Sequence, residues 1–166
     1  MYAKLEKEAK RNWDIFYKNN KTNFYKDRHY IKFEFSELAD RIQGLHEIDQ
    51  PLTLLDAGCG VGNGFYPLYR EFKEKLLIQC CDFSPRAVTF VKEHELYNAT
   101  DIDAHVVDLV NDPFPFPLAT ADYSIMLFVL SAISPENFPK VAEKLYNQMK
   151  PGAIVYFRDY GRYDLA

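Results

Sequence analysis

The residues best suited to chemistry lie in one short stretch, Asp56-Ala57-Gly58-Cys59-Gly60-Val61-Gly62-Asn63-Gly64, and at two later carboxylates, Asp82 and Asp108. Glycines at every second position let a backbone turn tightly and approach a bound molecule closely. Asp82 and Asp108 each close a short apolar run, and Asp56 falls near the end of another. A carboxylate at such a place can accept both hydroxyls of a ribose. The spacing is not G-x-G-x-x-G: counted from Gly58 the last place is Asn63, and from Gly60 it is Phe65. That argues against a cradle for a dinucleotide pyrophosphate, and so against a nicotinamide oxidoreductase. Each feature has a plainer reading, as an empty turn, a helix-capping Asp82 or a loop acid at Asp108. Three acids on three successive strand–helix units are far more specific together.

Other constellations are missing. His29, His46, His94 and His105 are scattered, and no Ser-His-Asp or Cys-His arrangement accompanies them. Cys59, Cys80 and Cys81 are odd in number and two are adjacent, so neither a disulfide framework nor zinc-ligand spacing is present. Such cysteine usage suits a reducing, intracellular compartment. No apolar stretch approaches the ~18–20 residues of a membrane span, and the N-terminus has no signal-like apolar core. The expected location is the cytoplasm.

The elements that must position these residues can be read in order. Residues 2–20 and 29–44 read as helices, with a polar, aromatic loop between them. Runs at 52–58, 76–82, 102–108, 121–130 and 153–161 read as buried strands. FYPLYREFKEK is a helix after the glycines, and Ser84-Pro85 and Ser134-Pro135 offer an N-cap and a first helical residue for two more. The second of these runs to about Met149, and Lys150-Pro151-Gly152 stops it. Strands alternating with helices predict a doubly wound, parallel α/β sheet. The acids and glycines then gather at the carboxyl ends of its strands.

Length and charge agree with one globular domain. The chain has 166 residues, 48% of them hydrophobic and 27% charged. Its net charge of −4 is uneven: residues 1–32 carry nine Lys/Arg against four Asp/Glu, while the remainder carries eleven against twenty. A basic arm on an acidic body can mark an edge that meets a polyanion, or simply a solvated helix of mixed charge.

The spacing Asp56-x-Gly58-x-Gly60-x-Gly62 resembles the D/E-x-G-x-G-x-G of class I S-adenosylmethionine-dependent methyltransferases. A narrower resemblance rests on NWDIFYKNNKTNFYKDRHYIKFEF, LLDAGCGVGNGFYPL, CDFSPRAVTFVKEH, LFVLSAISPENF and KPGAIVYFRDYG. Together they resemble the tRNA N3-methylcytidine methyltransferases, from about Asn12 to Asp164. The Trp-Asp-x-Phe-Tyr and Phe-Tyr-Lys-Asp-Arg-His stretches are much more specific than the glycine loop. LFVLSAI carries no Asp/Asn-Pro-Pro-Tyr, the motif that commonly holds an exocyclic base amine, which disfavours methylation of such an amine.

The resemblance implies methyl transfer from S-adenosyl-L-methionine to N3 of cytidine 32 in a tRNA anticodon loop. It implies a Rossmann-like class I sheet with an N-terminal helical extension. Residues 1–48 would be a helical, aromatic lid, and residues 49–166 the donor-binding domain. Arg28 and Tyr30 would contact the donor, Arg28 at its carboxylate. Gly58 and Gly60 would approach the methionine moiety, Asp82 the ribose, and Asp108 with Leu109 the adenine. Leu127 and Phe128 read as lining the cofactor pocket, with plain core packing an equal reading for both, and Leu127 would pack beside the cofactor. Asp159 is the one catalytic candidate, and a structural role beside Arg158 is as open. No metal is implied. A seryl-tRNA synthetase or other accessory protein is an expected partner beside tRNA, and no membrane is. A class I sheet normally has seven strands and five are read here, so the domain is expected to lack its last C-terminal strands. Two alternatives remain: a donor-binding form inactive without a partner, and a methyltransferase acting on a small molecule or protein.

Overall fold

The computed structural model describes residues 2–22, 24–46 and 50–164. Its strands are β1 (Leu52–Ala57), β2 (Leu76–Asp82), β3 (Ile102–Val106), β4 (Ala121–Leu127) and β5 (Met149–Arg158). They form one sheet in the order β3-β2-β1-β4-β5, with every neighbouring pair parallel. The chain order therefore reverses between β1 and β4, where Leu54 lies beside Tyr123 and Asp56 beside Ile125. This is the doubly wound α/β sheet expected from the alternation of elements.

Successive residues of β1 point to opposite faces, and Leu54, Leu55 and Ala57 are buried on the two sides of the sheet, which is why the run is mostly apolar. Leu54, Ile78, Cys80 and Ile125 pack against α3 (Ser36–Gln43), α4 (Phe65–Phe72) and α5 (Pro85–Glu93) through Leu38, Ile42, Phe65, Tyr69 and Val91. On the other face Leu55, Ala57, Cys81 and Met126 pack with Val141 and Leu145 of α6 (Phe138–Gln148) and with Val107, Leu109 and Phe116 of a helix-free connection. The N-terminal helix α1 (Tyr2–Asn20) lies against α5, its Trp13, Phe16 and Tyr17 meeting Val61, Ala87 and Phe90.

Several boundaries differ from the sequence reading. The helix expected over 29–44 is split into α2 (Ile31–Glu34) and α3 at Phe35, whose ring stacks on Tyr156 at 4.8 Å. β3 ends at Val106, so Asp108 lies two residues past the strand. β4 ends at Leu127 because Phe128 turns to a left-handed φ of 59°. β5 begins at Met149 and takes in Pro151, so Lys150-Pro151-Gly152 lies within a strand rather than after a helix. Pro151 is tolerated on this terminal strand, next to a register shift between Ala121 and Tyr123. Ser84 caps α5, accepting from the Ala87 N–H at 3.3 Å. Ser134 makes no such bond, and a 3₁₀ turn at Pro135–Asn137 leads into α6. The expected division at residues 48 and 49 falls outside the described residues. Among the described residues no helix is long and apolar enough to cross a membrane.

Candidate functional site

A cavity of about 410 Å³ opens at the carboxyl ends of β1, β2 and β4. Its floor is the turn after β1. Gly58 and Cys59 both donate their N–H to the Cys81 carbonyl at 2.9 Å, folding the turn back over β2. Gly58 and Gly60 have φ of 85° and 55°, which other L-residues adopt only with strain. A side chain would also collide: a Cβ at Gly58 would lie 2.4 Å from Val129 Cγ2, and one at Gly60 2.9 Å from Tyr17 Oη. The sequence at these positions thus keeps a bare backbone facing the cavity.

Asp82 closes this turn from the end of β2. Its Oδ2 accepts from the Gly60 N–H and its Oδ1 from the Ser84 N–H, each at 2.9 Å. Burial pushes its carboxyl up to about 6, against the pull of the hydrogen bonds from Ser84 and Gly60. Asp56, 2% exposed, is pushed up to about 7 by burial, while Arg28 opposes the shift and Asp82 adds to it. Asp56 and Asp82 are thus neighbouring buried acids, and the Arg28 cation acts on Asp56. Asp108 lines the adjoining wall. Its Oδ1 accepts from the Val110 and Asn111 N–H groups at 2.8 and 3.2 Å, which fixes the carboxylate in a local turn.

The N-terminal arm forms the roof. Asp14 accepts from Ser84 Oγ at 3.0 Å and from the Arg86 N–H at 3.2 Å, fastening α1 to the start of α5. That bond explains why Trp-Asp-x-Phe-Tyr is a unit: Asp14 holds the helix, while Trp13 and Tyr17 line the cavity. The following loop is held by Asn63. Its carbonyl accepts from the Arg28 N–H at 2.9 Å, and its Nδ2 donates to the Tyr25 carbonyl.

Of the residues singled out in the sequence, Arg28, Gly58, Gly60, Asp82, Asp108, Leu109 and Leu127 all line this one cavity. Tyr30 does not line it. Its hydroxyl accepts from Arg28 Nη1 at 2.9 Å, so Tyr30 stands behind Arg28. Asp159 is also off the wall: its Oδ2 accepts from the Ser131 N–H at 3.0 Å, joining the ends of β4 and β5. Asp14, Asn63, Trp13 and Tyr17 were not picked out as site residues, although the Trp-Asp-x-Phe-Tyr spacing carried the signal for three of them. Among the described residues no cluster of His, Cys, Asp and Glu could hold a metal ion.

A doubly wound parallel sheet with a glycine turn at its switch point and acids at or just past the ends of its first three strands has the class I methyltransferase architecture. Residues 54–152 match the methyltransferase-domain family, and the chain belongs to it. It is 48% identical to the tRNA N(3)-cytidine methyltransferase METTL6 of Rattus norvegicus, over 98% of this chain and 56% of that protein. It is 41% identical to the tRNA(Thr) (cytosine(32)-N(3))-methyltransferase of Saccharomyces cerevisiae, over 93% of this chain and 25% of that one. The resemblance read from the sequence is borne out by these relatives. The chain spans little more than half the length of the METTL6 relatives it matches. In fold it is similar to a SAM-dependent methyltransferase from Aquifex aeolicus, with a TM-score of 0.60, 20% identity, and coverage of 84% of this chain and 71% of that one.

Proposed function

We propose that this chain transfers a methyl group from S-adenosyl-L-methionine to N3 of cytidine 32 in the anticodon loop of a tRNA. The observation that carries this reading is the arm: the stretch shared with the tRNA cytidine methyltransferases is fastened by Asp14 and Asn63 over the glycine-floored cavity. When bound, the donor supplies an electrophilic methyl group on a sulfonium.

Asp82 would accept the ribose hydroxyls, each of its oxygens already oriented by a backbone N–H. Gly58 and Gly60 would lie against the methionine moiety. Asp108 would face the adenine amino group, with Leu109 covering the ring and Leu127 packing beside the donor. Arg28 would pair with the donor carboxylate. Tyr30 would act through Arg28 as a positioning residue, and Asp159 would fix the ends of β4 and β5 rather than touch reactants. Residues 1–48 would serve as a lid on the 49–166 domain, with Trp13 and Tyr17 excluding water.

Cytosine N3 has a free lone pair at neutral pH, so no general base is required. Alignment of acceptor and donor then carries the catalysis. The same reading includes cytoplasmic residence, which rests on the cysteine usage, and a seryl-tRNA synthetase or other accessory protein as partner, which rests on the resemblance. The test is incubation of the purified chain with labelled donor and tRNA, followed by nucleoside analysis. The expected product is 3-methylcytidine on a tRNA with C32 and none on its U32 variant. Donor binding without labelled tRNA overturns the reading for this chain, and label on a small molecule or protein instead redirects it.

A further inference from the structure

Phe128 lines the same cavity, and no group of the donor is assigned to it. It directly follows β4, and its φ of 59° is one that a bulky residue rarely holds. Such strain persists only where the surroundings enforce it, and it tends to mark functional positions. The surroundings here are clear: the Phe128 N–H donates to the Arg158 carbonyl at 2.8 Å, fastening this turn to the end of β5. Its ring lines the cavity beside Leu127. Tyr160 meets that ring edge to face at 5.3 Å, and the Arg28 guanidinium lies over it at 4.9 Å. Tyr25 completes the group. Its hydroxyl is pushed up first by burial and then by the neighbouring Tyr160, and its ring lies 5.8 Å from Arg28. Tyr25 and Tyr160 are 39% and 52% exposed, so the group opens to solvent at the rim.

We infer that Phe128, braced by Tyr160 and sharing Arg28 with Tyr25, is the seat on which the flipped acceptor base stacks. The inference rests on the proposed reaction and names where its acceptor lies. N3 is on the pairing edge of cytosine, so the base must leave its stack and find another surface. Exposed aromatic rings supply that surface for any base. Charge favours the same place. As the N3 lone pair forms the N–CH₃ bond, the S–CH₃ bond breaks, its electron pair stays on sulfur, and the base takes the positive charge. No proton is released. An aromatic face stabilises a cation that develops against it. The Phe128 ring already receives a planar cation, the guanidinium of Arg28. With Arg28 drawn to the donor carboxylate, that face is free for the base. Asp159 becomes a positioning residue in this arrangement, because its Oδ1 accepts from the Tyr160 N–H at 2.9 Å while its Oδ2 holds Ser131.

The test uses the full chain and an anticodon stem-loop carrying pyrrolocytidine at position 32. Stacking on Phe128 quenches that fluorophore when the parent binds, and the quench is lost in Phe128→Leu and retained in Phe128→Tyr. On unmodified tRNA, Phe128→Leu and Tyr160→Leu lower kcat/KM about tenfold or more, while the affinity of Tyr160→Leu for S-adenosylhomocysteine changes less than threefold. Tyr160→Leu carries the test if Phe128→Leu fails to fold. A quench that survives Phe128→Leu, or leucine variants that methylate as the parent does, overturns the seat. A parent that methylates with no quench overturns it too. A parent that quenches without methylating supports the seat while removing the proposed reaction, and a parent that does neither removes both.

Discussion

The Gly60 N–H donates to Asp82 Oδ2 at 2.9 Å, joining the glycine turn after β1 to the end of β2. One carboxylate therefore shapes the loop and presents its remaining lone pairs to the cavity. Asp82→Ala removes the acceptor for both Gly60 and Ser84. Hydrogen bonds to a charged group contribute about 1.5–3 kcal/mol. Affinity for S-adenosylhomocysteine is expected to fall by about tenfold to a hundredfold, with Asp82→Asn between the two. Calorimetry checks this, and an alanine variant that binds as tightly as the parent removes the ribose assignment.

Gly58 tests whether the floor must be bare. At φ 85° an alanine carries about 1–2 kcal/mol of backbone strain. Its Cβ would also lie 2.4 Å from Val129 Cγ2. Gly58→Ala is expected to destabilise the fold by about 2–4 kcal/mol. Adding Val129→Ala restores the part due to collision and leaves the part due to φ. Urea denaturation of the double-mutant cycle measures the coupling. Strict additivity would show that Val129 is not the obstacle.

The strand–helix units and the glycine floor were legible because their causes are local. A buried run, a Ser-Pro helix start and a glycine turn each declare themselves within a few residues. The arm was not legible in the same way. Asp14 meets Ser84 across 70 positions and Asn63 meets Tyr25 across 38, so neither contact has a short-range signature. Phe35 breaks a helical pattern for the same reason, since its stacking partner Tyr156 lies on β5. The ends of β3 and β4 were overrun because the apolar runs continue into the turns that line the cavity. Val107 and Leu109 are core residues outside any strand. Tyr30 and Asp159 contact Arg28 and Ser131 rather than the cavity itself.

Asn63→Ala loosens the roof while leaving Gly58 and Gly60 of the floor in place. It deletes the bond from Nδ2 to the Tyr25 carbonyl and leaves the Arg28 N–H to Asn63 carbonyl bond available. The cost in stability is expected to be small, about 0.5–1.5 kcal/mol. The larger effect is kinetic: S-adenosylhomocysteine dissociates several-fold faster, and trypsin cuts sooner at Lys26 and Arg28. Stopped-flow release and timed proteolysis read the two effects. Unchanged rates in both would mean that the arm is held by α1 alone.

Asp56 sets the pH response of the unliganded fold. Burial pushes its carboxyl from 3.8 up to about 7, with Arg28 opposing and Asp82 reinforcing the shift. The folded state therefore holds this proton more tightly than the unfolded chain does. The resulting stability is fully present below about pH 4 and is lost as pH rises through about 7. Asp56→Asn stays neutral throughout and escapes that loss. The variant's stability relative to the parent is thus expected to climb from pH 4.5 to pH 8, by an amount bounded at about 4 kcal/mol for a shift of this size. Arg28→Gln removes the opposing positive charge, so Asp56 keeps its proton to higher pH and the climb moves upward. Melting curves for the parent and both variants across this range decide the matter. A difference between Asp56→Asn and parent that stays flat with pH would show that Asp56 is already ionised in the folded chain.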